Sequence, residues 1–115
     1  MTGAEQIQCA AKALGYIDDH ETCDAHVDQN GLHKSQDGCF YIVWEHGWRP
    51  WEPRKTPEDA FDLAIRAGII VRKIEPYVYA ISEKRQHQVR IDGDVMAAAC
   101  EAVVLAAAEI GKAME

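Results

Sequence analysis

The chain has 115 residues, enough for one domain with its own core, and 48% of them are apolar, which excludes a disordered or fibrous protein. Its formal net charge of −7 disfavours direct contact with nucleic acid, because phosphates are held by Lys and Arg, and suits a basic protein surface. No apolar run approaches the length of a membrane span, so no membrane partner is expected.

Thr2-Gly3-Ala4-Glu5 reads as a capping box that opens a helix. Ile7, Ala10, Ala11 and Leu14 give that helix an apolar face, and Gly15 stops it, so it should run from about residue 3 to 14. The stretch from Tyr16 to Gly38 is polar and irregular, with turn dipeptides at Asn30-Gly31 and Asp37-Gly38. Between Asp18 and Asp37 six acids face one base, Lys34, whereas the part beyond Trp51 is nearly balanced. Cys39 to Trp44 is aromatic and β-branched and reads as a strand. Trp48 to Pro53 follows, held extended by its two prolines.

Thr56-Pro57-Glu58-Asp59 predicts a second helix, with Thr56 as cap, Pro57 in the first turn and two acids at the positive end of the dipole. Gly68 ends it. Ile69–Ile74, Tyr77–Ser82 and Gln88–Asp92 are short strands with tight connections, so an antiparallel meander is expected. In the first of them alternation places Arg72 on one face with Ile70 and Ile74. Asp92-Gly93-Asp94 then opens a last helix with a long stripe of small residues from Ala97 to Ala108. This stripe suits close packing inside the domain or against a second copy. The order α-β-α-β-β-β-α predicts an α+β fold, a layered sandwich of helices on a mainly antiparallel sheet. Residues 1–115 are read as a single domain with an irregular acidic segment at 16–38.

Two groups of residues resemble a known family. Trp51-Glu52-Pro53 with Thr56-Pro57-Glu58-Asp59-Ala60 is similar to the W-x-P … D-A entry of small bacteriophage proteins of the NinX-like family, whose fold is called the phage ABA sandwich. Ala10 to Gly15 and Ala106 to Met114 resemble that family's first and last helices. The resemblance implies a phage or prophage accessory gene, of the kind that acts on host machinery or host defence. The family has no established catalytic residues, so none is carried over.

No catalytic arrangement stands out: Ser35 and Ser82 lack a nucleophile-elbow context, and there is no Gly-rich phosphate loop. A non-enzyme is expected. The carboxylates Asp18, Asp19, Glu21, Asp24 and Asp28, with Trp48, Arg49 and Trp51, are the candidate partner-binding residues, because acids match a basic face and Trp and Arg dominate binding hot spots. The expected partner is a host protein, such as a nucleic-acid-binding defence effector that an anti-CRISPR-like inhibitor would occupy.

A second reading takes Tyr41, Trp44, Trp48 and Trp51 with Arg49 and Arg54 as a site that sequesters a small nucleotide signal, with an oligomer interface as its setting. A third takes His20, Cys23 and His26, with His33 or Cys39 to close the set, as zinc ligands of a structural module, since zinc prefers Cys and His in close sets, although the spacing matches no standard finger and the leading expectation carries no cofactor. The four cysteines form no C-x-x-C pair and Met1 to Gln8 has no basic leader, so reduced thiols and the cytoplasm of the bacterial host are expected.

Overall fold

The computed structural model describes residues 2–18, 32–35, 38–44, 47–83 and 85–114, with backbone alone at 17, 18, 43 and 44. The chain is α+β, and its contacts divide it into two units, one formed by residues 1–14 with 52–115 and the other by residues 15–51.

In the first unit α1 (Gly3–Leu14), α2 (Pro57–Ala67) and α3 (Val95–Ala113) accompany a three-stranded sheet. Thr2 opens α1 as the sequence predicts: its Oγ1 accepts from the Glu5 amide at 3.1 Å. Asp94 caps α3, its Oδ1 accepting from Met96 N at 3.0 Å and Ala97 N at 3.2 Å. Gly68 closes α2 in the left-handed region at φ 72°, a conformation that glycine adopts without steric cost. Thr56 departs from expectation. It occupies the N-cap position of α2, but its side chain makes no capping hydrogen bond. Pro57 lacks an N–H, and the Thr56 carbonyl accepts from Asp59 N and Ala60 N.

α3 packs on α1, on α2 and on the sheet, and has buried residues around most of its circumference. Small side chains permit this. Ala102, Ala106 and Ala107 are 0% exposed, as are Ala10 and Ala11 of α1. Most of the alanine stripe is therefore buried within the chain, with Ala97 left exposed. Gly111 marks the tightest approach, since a Cβ there would lie 1.7 Å from the Cys9 carbonyl oxygen. Leu63, Val78 and Val104 supply the larger fully buried side chains, each worth ~1.5–3 kcal/mol of transfer free energy.

The sheet is a meander of the first unit's three strands, here called β5 (Ile70–Ile74), β6 (Tyr77–Ile81) and β7 (Gln86–Arg90), following β1 to β4 of the other unit. The third strand begins two residues earlier than predicted. Ser82 N and Ser82 Oγ both donate to the Arg85 carbonyl, which shortens the turn and pairs Gln86 with Ile81. Val78 and Ala80 of β6 face the buried side together with their partners Val71, Lys73, Val89 and His87.

In the second unit β1 (Ile17–Asp18), β2 (Leu32–Lys34), β3 (Phe40–Trp44) and β4 (Gly47–Pro50) form one sheet in that order, with β1 parallel to β2 and the other pairs antiparallel. The segment read as irregular thus carries short strands near both ends. Leu32 is buried and pairs with Ile42, and backbone pairing to the aromatic strand β3 compensates for the weak propensity of a Leu-His-Lys tripeptide. β4 is an edge strand, which is why Pro50 fits in it.

Candidate functional site

Alternation sorts the β2–β4 sheet into two faces. Leu32, Phe40 and Trp51 are buried, and Phe40 and Trp51 meet edge to face at 6.1 Å between centroids. Trp51 is 3% exposed, and its backbone N–H donates to the Phe40 carbonyl at 3.0 Å. It is a core residue, which corrects its assignment to a partner-binding surface.

On the opposite face His33, Tyr41 and Trp48 form an aromatic run. His33 stacks on Tyr41 at 5.3 Å, and Tyr41 meets Trp48 edge to face at 6.0 Å. His33 is buried, Tyr41 half-buried and Trp48 67% exposed, so the run emerges from the core and ends in solvent. Strand alternation turns Arg49 away from Trp48, onto the face of Ile42, where Nη1 donates to the Pro50 carbonyl at 3.4 Å.

Of the acidic candidates, Asp18 lies in β1 opposite Lys34, and its side chain is outside the described residues. Asp19, Glu21, Asp24 and Asp28 are outside them altogether, as are His20, Cys23 and His26. Of the proposed zinc ligands His33 and Cys39 are described, and His33 is buried in the aromatic run. Cys39 is an exposed thiol beside the tight β2–β3 turn, where its carbonyl accepts from Ser35 N and Oγ. No group of three or more His, Cys, Asp or Glu side chains converges among the described residues.

Of the aromatic and arginine group proposed to hold a nucleotide, Tyr41 and Trp48 meet, and the Trp44 side chain is outside the described residues. Arg54 forks between two helices: Nε donates to Glu101 Oε2 at 2.7 Å, Nη1 to the Gly3 carbonyl at 3.2 Å, and Nη2 to Gln6 Oε1 and to Glu101. Its planar donors are committed to a bidentate structural clamp. Trp51 is buried, and Arg49 and Trp48 point to opposite faces.

Asp59 has a role that its place in the first helical turn does not signal: the sequence suggests an acid that complements the helix dipole, yet it is 0% exposed and its Oδ2 accepts from Glu52 N at 2.9 Å. Pro53 and Ala60 are buried as well. The W-x-P … D-A residues that carry the family resemblance are therefore residues of the interior, and the short turn that Asp59 secures is their local product. Cys100 is buried in α3, and burial together with the nearby Asp94 carboxylate pushes its thiol up from the ordinary range. It behaves as a small core residue, as the alanine-rich context predicts.

A groove of about 530 Å³ opens in the first unit among Ala67, Ser82, Arg85, Glu109 and Met114. Two of its charged residues pair with each other, Arg85 Nη1 meeting Glu109 Oε1 at 2.5 Å. No helix among the described residues is long and apolar enough to cross a membrane. No family model, curated protein or solved structure matches the chain.

Proposed function

We propose that the chain is a non-enzymatic binding protein that acts by occupying the surface of a protein partner. On the resemblance drawn from its sequence, it is a phage or prophage accessory protein of the host cytoplasm that blocks a host defence effector with a basic, nucleic-acid-gripping face. The observation that carries this reading is the exposed Trp48, anchored through Tyr41 on a buried histidine, within a segment whose acids outnumber its bases seven to two. A rigid indole presented at low entropic cost is a typical anchor of a protein interface, and carboxylates carried by the same segment speed and select encounter with a basic face.

The test is capture of a partner from host extract by the immobilised chain, followed by the same capture with variants. Replacing Asp18, Asp19, Glu21 and Asp24 by Ala together should weaken capture most at low salt, since steering by exposed charge is screened as salt rises. Capture that is indifferent to those replacements at both low and high salt would overturn the proposal.

A further inference from the structure

The charge of the β5–β7 sheet departs from that of the chain. The chain has 19 acids and 12 bases, yet the fifteen residues of these strands contain Arg72, Lys73 and Arg90 and no carboxylate. Register assigns the outer face in three rows: Ile70, Ile81 and Gln86; then Arg72, Tyr79 and Gln88; then Ile74, Tyr77 and Arg90. Each tyrosine of the central strand therefore has an arginine directly across from it, at the ~5 Å separation of cross-strand neighbours.

Arg72, Arg90, Gln86 and Gln88 are exposed, the tyrosines are half-buried as central-strand residues are, and Ile70 and Ile74 remain 65% and 49% exposed. The two tyrosine rings stand edge to face at 6.2 Å. Lys73 lies on the other face and is neutralised by Glu75 at 2.9 Å. Arg72 and Arg90 form no ion pair with any described residue.

We infer that this open sheet face is a binding site for single-stranded nucleic acid, with Tyr77 and Tyr79 stacking on bases and Arg72 and Arg90 holding phosphates. A π-face accepts any base, and a sheet is the usual platform on which successive bases are splayed and stacked. Gln86 and Gln88 add donors and acceptors beside the tyrosines for base edges. Charge complementarity selects this occupant. A second copy laid face to face would enclose four arginines with no carboxylate between them, and unpaired buried charge is costly. A duplex hides its base faces and offers nothing for the tyrosines to stack on. The sheet thus answers the objection that net charge raises, because affinity for phosphate follows local cations. The inference concerns a different unit from the proposed protein-binding surface and does not rest on it.

Fluorescence anisotropy of the full chain with labelled single strands of about twelve nucleotides, DNA and RNA, tests it. Single strands should bind and lose affinity as salt rises, and a duplex of equal length should bind at least roughly tenfold more weakly. Tyr79→Ala and Tyr77→Ala should each weaken binding roughly tenfold, while Tyr79→Phe, which keeps the ring and guards against a folding artefact, should stay within about twofold. Arg72→Gln and Arg90→Gln should each flatten the dependence of log affinity on log salt by roughly one phosphate contact. The inference fails if no single strand binds, if duplex binds equally well, or if Tyr79→Ala and Arg72→Gln leave binding unchanged. It fails also if polyglutamate competes as well as the oligonucleotides, which would make the face a surface for an acidic protein.

Discussion

The segment from Gly15 to Trp51 and the rest of the chain differ first in charge, with seven acids against two bases in the former and twelve against ten in the latter. They differ as much in what they bury. The helical unit is filled with alanines, two of them in α1 and five in α3, with a few branched side chains between. The 15–51 segment buries Leu32, His33, Phe40 and Trp51, and leaves Trp48 outside. A core of small residues brings backbones close and has no slack for added volume. Among the described residues, the sheet gives up the Trp48 ring to solvent while keeping Phe40 and Trp51. Stability should therefore respond most to changes in the helical unit, and recognition to changes at Trp48 and at the acids of the 15–51 segment.

Gly111→Ala is the strongest way to break that contrast. Its new methyl would be placed on the Cys9 carbonyl oxygen, a backbone atom that cannot rotate away. The cost should be about 3 kcal/mol or more, a fall in Tm of roughly 10 °C or more by calorimetry. An unchanged Tm would show that α1 and α3 do not approach as closely as described.

Asp59→Ala comes next. It removes the acceptor of the Glu52 amide and empties a fully buried position, for a loss of about 2 kcal/mol in urea unfolding at constant m-value. A loss below about 0.5 kcal/mol would return Asp59 to the surface role that its place in the first helical turn suggests.

The two helix caps give a finer comparison. Asp94→Ala should cost about 1 kcal/mol, since one oxygen satisfies two amides, whereas Thr56→Ala should cost less than half as much because the hydroxyl makes no capping bond. Equal losses in chemical denaturation would mean that Thr56 caps in solution after all.

The contrast between these caps also shows what the sequence discloses. All three helices and the β5–β7 meander were legible, because capping residues, Gly68 and periodicity are local signals that tertiary packing here reinforces. Asp94 and Thr56 look alike as cap residues and share the same extended backbone, with ψ 108° in both; only the side-chain hydrogen bonds separate them. β2 was not legible, since Leu32-His33-Lys34 becomes a strand through pairing with β3, a contact that no local window contains. The same non-locality hid the sites. Trp48 and Trp51 are equivalent on the page of a sequence, but a strand of period two separated by three positions sends them to opposite faces. Arg54 resembled a stacking cation because its partners Gln6 and Glu101 lie 48 and 47 positions away. The Tyr-Arg rows of the outer sheet are likewise products of register: each pairs residues that the sequence separates by a turn.

Trp48→Ala is the smallest expected effect on stability and the sharpest test of where recognition resides. The ring is 67% exposed, so little apolar burial is lost, and the edge contact with Tyr41 accounts for about 0.5 kcal/mol. Thermal unfolding should hardly move, yet an anchor residue at the centre of an interface should cost about 2 kcal/mol of binding, near a thirtyfold loss of captured partner affinity. A Tm that falls as far as for Gly111→Ala would make Trp48 a structural residue of the 15–51 segment. Unchanged Tm with unchanged capture would leave the carboxylates as the whole of the recognition surface, with the aromatic run serving only to hold β2, β3 and β4 in register.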